Sequence, residues 1–375
     1  MRLLVIGSVF LLSSAAACSS GDTTGHMAGG EAPADHGASG GHSSDGGSSG
    51  TSTTGPTTTT VPAITYDALF VVNGGNNTIS VVDTERNEVA ATIALSGARY
   101  PHHLSLSADR SQLALAVPGM DLSGGHGGHG AGHTMPGLVM LLDARTGSLL
   151  RARELPAMNH NAAFSPDGLE IWTTQMAEAG SVLALDAATL EDRGVVAVGE
   201  GPAEVTFSPN GKYAFVANGA SGSVTVIDVA TKAVVKTIPV GAGPVGAWQA
   251  SNGVAYVDNE EAKTLTAIDT ATLAVKLTYD LGFTPAYVAL APDGMLWVTD
   301  TDHGKVVINM PDMDMVHGEI ETGAGAHAIA FAGTKTGYIS NQEAGTVSVI
   351  DVATSRVIET IPVGSKPNGM VWRAK

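Results

Sequence analysis

The chain has 375 residues, a formal net charge of −17 and a single cysteine. The acidic balance argues against a nucleic-acid partner, which would call for a basic surface. One cysteine cannot form an internal disulfide. The charge is compatible with cations and with basic partners, and it identifies neither.

The first 17 residues have the pattern of an export signal. Arg2 supplies the positive charge, residues 3–12 form an apolar core, and small residues occupy positions 14–17. The apolar core is too short to span a membrane as a helix. Cys18 follows directly, in an arrangement that resembles a bacterial lipoprotein box. We therefore expect an exported protein anchored to the bacterial cell envelope, in the periplasm or at the cell surface, by a lipid on Cys18. Simple secretion with a leftover thiol is the alternative.

Residues 18–65 are predicted to form a disordered tether. Gly, Ser, Thr, Ala and His dominate this segment, so it buries too little apolar surface to offset the entropy of ordering. Its histidines are compositional candidates for weak metal capture. A soluble spacer with no further role is the alternative.

Residues 66–375 contain one pattern that recurs seven times, about every 42 residues. Each repeat has an apolar strand, Gly-x-Val/Leu, an apolar run that usually ends in Asp, and a turn that is often Gly-Pro. Four strands per repeat, with no helical periodicity, predict an all-β fold: a seven-bladed β-propeller. Residues 368–373 would complete the blade that begins at residue 69, a one-plus-three closure. An open solenoid is the alternative, but it would leave both terminal edges unpaired.

The repeat resembles the YVTN-type, YncE-like propellers of exported bacterial proteins. The matching segments are Phe-Val-Ala-Asn at 215–218, Ser-Pro-Asn-Gly at 208–211 and Val-Ser-Val-Ile-Asp-Val-Ala-Thr at 347–354. The resemblance implies the fold for nearly all of residues 66–375. It implies little about function, because the repeat residues pack blades together.

Three histidines share one column when the first strands of the repeats are aligned. The column reads His102, His160, Ala203, Val245, Ala286, His327 and Asn368. First strands are innermost in a propeller, and the closed ring places the three histidines on nearby blades. We therefore expect His102, His160 and His327 to converge at one mouth of the central channel. Neutral imidazole is a common ligand of zinc and copper; ordinary packing or hydrogen bonding is the alternative.

Three other residues are predicted to lie near this mouth of the channel. His103 is predicted to point away from the channel, because successive strand residues face opposite sides. Glu204 and His303 are further candidates at the same rim.

An insertion at residues 119–137 lies between the second and third strands of one repeat. It carries His126, His129 and His133 among glycines, and it should emerge on the face that holds the histidine column. We expect these three side chains to act as a metal-capture loop; an insertion without function is the alternative. Copper(I) is an alternative ion for this site, because Met120, Met135 and Met158 lie nearby and thioether sulfur suits that ion.

No catalytic motif is evident, so we expect a protein that is not an enzyme. The chain lacks a Gly-x-Ser-x-Gly elbow around a plausible nucleophile, and no pair of carboxylates recurs in a rim column. The histidine constellation resembles that of periplasmic zinc metallochaperones, which partner the solute-binding protein of a zinc transporter. That resemblance implies zinc, or alternatively copper, as cargo. The competing hypotheses are a non-catalytic envelope scaffold and a propeller that binds a cofactor of the d1-haem type.

Overall fold

The seven repeats form seven antiparallel sheets, the blades, which follow one another around a ring. The computed structural model describes residues 55–124 and 135–375. Within these ranges every blade has four main strands, and blade 1 has a short fifth one. The innermost strands of neighbouring blades contact each other all the way round. The predicted seven-bladed β-propeller is confirmed.

The strands are numbered in chain order. Blade 1 contains β1 (Thr57–Thr58), β2 (Ala68–Asn73), β3 (Thr78–Asp83), β4 (Glu88–Ser96) and, as its innermost strand, β29 (Pro367–Arg373). In the other blades the first strand is innermost. Blade 2 contains β5 (Leu104–Leu106), β6 (Gln112–Val117), β7 (Gly137–Asp143) and β8 (Leu149–Leu155). Blade 3 contains β9 (Ala162–Phe164), β10 (Glu170–Gln175), β11 (Ser181–Asp186) and β12 (Asp192–Ala197). Blade 4 contains β13 (Pro202–Phe207), β14 (Tyr213–Asn218), β15 (Ser223–Asp228) and β16 (Ala233–Pro239).

The last three blades follow the same order. Blade 5 contains β17 (Pro244–Gln249), β18 (Val254–Asn259), β19 (Thr264–Asp269) and β20 (Ala274–Asp280). Blade 6 contains β21 (Pro285–Leu290), β22 (Leu296–Asp300), β23 (Lys305–Asn309) and β24 (Val316–Glu321). Blade 7 contains β25 (Ala326–Ala332), β26 (Thr336–Asn341), β27 (Thr346–Asp351) and β28 (Arg356–Pro362). The described ranges contain no helix long and apolar enough to cross a membrane.

Strand β29 closes the ring by pairing antiparallel with β2, with Leu69 opposite Trp372. This is the predicted one-plus-three closure. Arg373 strengthens the seam: its guanidinium donates a hydrogen bond of 2.7 Å to the carbonyl of Ile64 and another to the carbonyl of Ala144 in blade 2. Strand β29 is thereby tied to blade 2 as well as to β2.

The described part of the predicted tether, residues 55–65, lies on the propeller. Thr57 pairs with Ser96 at the outer edge of blade 1, and the amide of Val61 donates to the carbonyl of Thr146 in blade 2 (2.9 Å). The propeller unit thus includes residues that the sequence analysis assigns to the tether.

Asparagines at the ends of second strands hold the adjacent turns in place. The Asn218 side-chain amide donates to Ser223 Oγ (3.2 Å) and to Thr225 Oγ1 (2.9 Å) on the next strand. The same pattern of one amide and two hydroxyls recurs at Asn73, Asn259 and Asn341. Because these amides are buried, the hydroxyl partners satisfy donors that would otherwise be costly. They fix the turns that surround the channel mouth.

The apolar core lies between neighbouring blades rather than at the centre of the ring. Trp172 of blade 3 packs edge-on against Phe207 of blade 4, with ring centroids 5.4 Å apart. Trp297 of blade 6 packs in the same way against Phe331 of blade 7, at 5.2 Å. The large apolar side chains therefore pack between the blades, and the central channel is lined by residues of the seven innermost strands.

Candidate metal centre

A β-bulge turns two consecutive histidines into the channel. The amide of His102 donates to the carbonyl of Ala116 (3.0 Å), and the amide of Ala116 donates to the carbonyl of His103 (2.9 Å). His102 and His103 thus both lie opposite Ala116, and regular pairing of β5 with β6 starts only at Leu104. A bulge breaks the alternation of side chains along a strand, so His103 joins the cluster. The expectation that His103 points away is wrong.

The three histidines of the predicted column lie close together. The ring centroid of His102 is 4.4 Å from that of His160 and 6.0 Å from that of His327. His103 lies 4.9 Å from His160 and 5.8 Å from His327 by the same measure. All four side chains are buried, and none of the four residues is more than 6% exposed. Blades 2, 3 and 7 therefore bring four imidazoles into one compact group.

Glu204 adds a carboxylate to this group from blade 4. Its Oε1 atom is 3.4 Å from His160 Nδ1 and 3.8 Å from His103 Nε2. Glu204 is only 2% exposed. Its burial, and secondarily the charge of Asp258, raise the pKa of Glu204 well above the ordinary value. A cation beside the carboxylate would favour its charged form.

These five residues form two overlapping sets of possible ligands. The mouth group consists of His102, His103 and His327, and the inner group consists of His103, His160 and Glu204. In each group the potential donor atoms lie within 4.8 Å of one another. Three imidazoles, or two imidazoles and a carboxylate, are donor sets that zinc accepts while keeping a fourth position open. Copper also accepts imidazole.

Each group faces a different cavity. The mouth cavity, about 740 Å³, is lined by His327 and by residues of the surrounding loops. Those loops contribute the carboxylates of Glu260, Asp302, Glu321 and Glu343. The inner cavity, about 480 Å³, is lined by His103, Glu204 and residues from all seven innermost strands. No lysine or arginine is among the described residues that line either cavity. This channel suits a cation.

The other predicted site residues are placed as follows. His303 lines the mouth cavity but stands apart from the cluster; its side chain is 65% exposed and lies 2.9 Å from Asp300. His126, His129, His133 and Cys18 lie outside the described residues. Residues 122–124, which precede the histidine-rich part of the insertion, line the mouth cavity.

A second buried carboxylate, Asp258, lies near the cluster and was missed by the sequence analysis. It accepts a hydrogen bond from the Trp248 indole N–H and one of 3.1 Å from the amide of Gly246. Burial and the charge of Glu260 raise the pKa of Asp258 to about 7. The sequence did contain one indication of this residue. Asp258 stands one position before the asparagine of the second strand, where the fourth repeat has Ala217. Asp258 holds Trp248 in the wall of the inner cavity.

The fold and the site define a β-propeller whose channel holds a buried cluster of imidazole and carboxylate groups. No family model and no curated protein matches the chain. Among solved structures, the chain is similar to Kuenenia stuttgartiensis hydrazine synthase, with 18% identity, a TM-score of 0.64, and coverage of 76% of this chain and 92% of the other.

Two further solved structures show the same architecture. The β-propeller domain of Myceliophteria thermophila Cps50 (Swd1) has 14% identity and a TM-score of 0.60, with coverage of 78% of this chain and 99% of the other. The dihydro-heme d1 dehydrogenase NirN has 16% identity and a TM-score of 0.58, with coverage of 82% and 76%. At these identities the similarity concerns the fold alone.

Proposed function

We propose that this protein binds a metal ion, zinc or alternatively copper, and delivers it within the bacterial cell envelope. The observation that carries the proposal is the convergence of four buried imidazoles and one carboxylate from four blades. An ion in this cluster would provide the positive charge that the lining residues of the channel lack.

The mouth cavity supports entry from one face of the ring. Its four carboxylates raise the local concentration of cations by electrostatic attraction. His327 lies in the lining of the same cavity, so an arriving ion meets an imidazole directly. Because imidazoles bind metal only when neutral, acid should release the ion as they become protonated.

Delivery would take place through ligand exchange at this face. In this scheme His126, His129 and His133 capture ions weakly and pass them to the mouth group, whose open position accepts a ligand from the recipient. The recipient would be the solute-binding protein of a metal transporter, and a lipid on Cys18 would keep the propeller at the membrane. The export signal and the resemblance to zinc metallochaperones support this part of the proposal.

Metal titration of matched variants tests the binding step. The core variant replaces His102, His160 and His327 with Ala; the control variant replaces the exposed His303 and His317. Zinc and copper are titrated by calorimetry, and transfer is timed with the chromophoric chelator 4-(2-pyridylazo)resorcinol. We expect the core variant to lose the tightest binding step and the slow phase of transfer, while the control variant keeps both. Equal affinity and stoichiometry in all three proteins would refute the proposal.

A propeller that binds a tetrapyrrole is the second candidate function. Its supporting observation is the 740 Å³ mouth cavity with His327 in its lining, together with the fold similarity to the dihydro-heme d1 dehydrogenase NirN. Elemental analysis and the visible spectrum of the isolated protein separate the candidates. Bound zinc without a Soret band favours ion delivery, a Soret band favours the tetrapyrrole, and neither favours an envelope scaffold.

A further inference from the structure

The inner group has a geometry of its own that suits a metal ion. Glu204 Oε1 lies 3.4 Å from His160 Nδ1 and 3.8 Å from His103 Nε2. In a tetrahedral shell with bonds of ~2 Å, neighbouring ligand atoms are about 3.3 Å apart. Both of these separations are within about half an ångström of that spacing, and all the donor atoms of the group lie within 4.8 Å of one another, so a small closing movement would let the group hold an ion.

The space in front of the inner group is large enough for a small organic molecule. The inner cavity has a volume of about 480 Å³, with His103 and Glu204 among its lining residues. The rest of the lining is mixed, with polar residues such as Ser105, Asn161 and Thr206 beside apolar ones such as Leu290 and Met370, and its exposed surface is more polar than apolar. Ligand pockets generally combine apolar walls with polar groups that fix orientation.

Two stacked aromatic side chains form part of the wall of this cavity. Trp248 and Tyr287 stack with ring centroids 3.7 Å apart and planes inclined by 30°. The hydrogen bond from Trp248 to Asp258 fixes the indole, and Gly246 leaves room for both groups, since a Cβ there would overlap the Asp258 carboxylate and the Trp248 indole. The wall is thus held rigidly, and a flat ring can stack on it.

We propose that the inner group is a second ion position, which shares His103 with the mouth group and has its open coordination site facing the inner cavity. That site takes a compact aromatic molecule with a metal-binding head group. The inference rests on the proposed function, since both positions need the same class of ion. His103 belongs to both groups, so it links the position that faces the mouth cavity to the position that faces the inner cavity.

The test uses Co(II) as a spectroscopic substitute for zinc and benzohydroxamate as the aromatic probe. The parent protein is the full chain in which the histidines outside the described residues are replaced with Ala: His26, His36, His42, His126, His129 and His133. Visible absorption of Co(II) is followed as the probe is added. Acetohydroxamate, with the same head group and no ring, is the control ligand.

We expect benzohydroxamate to change the Co(II) spectrum of the parent and to bind at least tenfold more tightly than acetohydroxamate. Glu204→Gln should weaken this response at least tenfold while Co(II) is still bound, and His327→Ala should retain it. A response that survives in Glu204→Gln, or one that is lost only in His327→Ala, would overturn the inference. Co(II) uptake without any probe response would also overturn it and leave the proposed function standing, whereas a parent that binds no metal would refute both.

Discussion

The carboxyl of Asp258 should make the stability of the metal-free protein fall as the pH rises. Asp258 is fully buried, and its pKa is raised from 3.8 to about 7 in the folded state. Between these values the folded protein retains a proton that the unfolded chain has released. The contribution of Asp258 is therefore complete below about pH 4 and is lost as the pH passes 7. A shift of about three pKa units corresponds to about 4 kcal/mol.

Urea unfolding in the presence of EDTA, at several values between pH 4 and pH 8, measures this contribution. Asp258→Asn is the informative variant, because its amide cannot titrate. The new side chain would also place an NH₂ group against the N–H of Trp248 or Gly246, which costs about 1–3 kcal/mol at every pH. The readout is thus the unfolding free energy of the wild type minus that of the variant, which should fall by about 4 kcal/mol across the range and so change sign. Exposed Asp293→Asn is the control. A difference that stays constant with pH would refute the reasoning.

Three further predictions concern the supports of the site and of the ring. Gly369→Ala should weaken zinc binding at least tenfold in a chelator competition assay, because its Cβ would lie 2.8 Å from the Cα of His103; Gly318→Ala, whose Cβ would meet nothing within 4 Å, should have no effect. Asn218→Ala should lower the free energy of unfolding in urea by about 1–3 kcal/mol, because it deletes a buried bridge to two hydroxyls; an unchanged value would mean that the bridge adds no net stability. Arg373→Met should lower Tm in calorimetry by the equivalent of about 2–3 kcal/mol, since charged hydrogen bonds at the seam are lost; an unchanged Tm would show that closure relies on strand pairing alone.

Much of the architecture could be predicted because each repeat contains the residues that form its own strands and turns. Asn218 and its hydroxyl partners, and the Asp that ends the third strand in six of the seven blades, recur at fixed spacing, and each has a local hydrogen-bonding role. The column of His102, His160 and His327 could be found in the same way, because closure of the ring converts a sequence period into spatial adjacency.

His160 and, as a rim candidate, Glu204 could be named from the sequence, but strand alternation could not place His103 beside them. The column immediately after His102 contains His103, Glu204 and Tyr287, and strict alternation would turn all three away from the channel. The bulges opposite the second strands reverse this: register shifts occur between Pro202 and Val205, and between Pro285 and Val288. A bulge depends on how two strands are paired, which the residues of one strand do not reveal.

The role of Asp258 was hidden for a different reason. Its partner Trp248 belongs to another strand of the same blade, and their contact requires the empty space at Gly246. None of these three residues belongs to a recurring motif, so the repeat pattern gives no reason to link them. Only the packing of blade 5 brings them together.

The seam blade stands between the two blades that supply the ligands of the mouth group. His102 precedes β5 in blade 2, His327 lies on β25 in blade 7, and β29 runs between them, with the amide of Gly369 donating to the carbonyl of His102 (3.1 Å). An ion bound by both histidines would cross-link blades 2 and 7 on either side of the blade that closes the ring. A bound ion would then slow amide hydrogen exchange along β29. Conversely, separating blade 1 from its neighbours would release the ion.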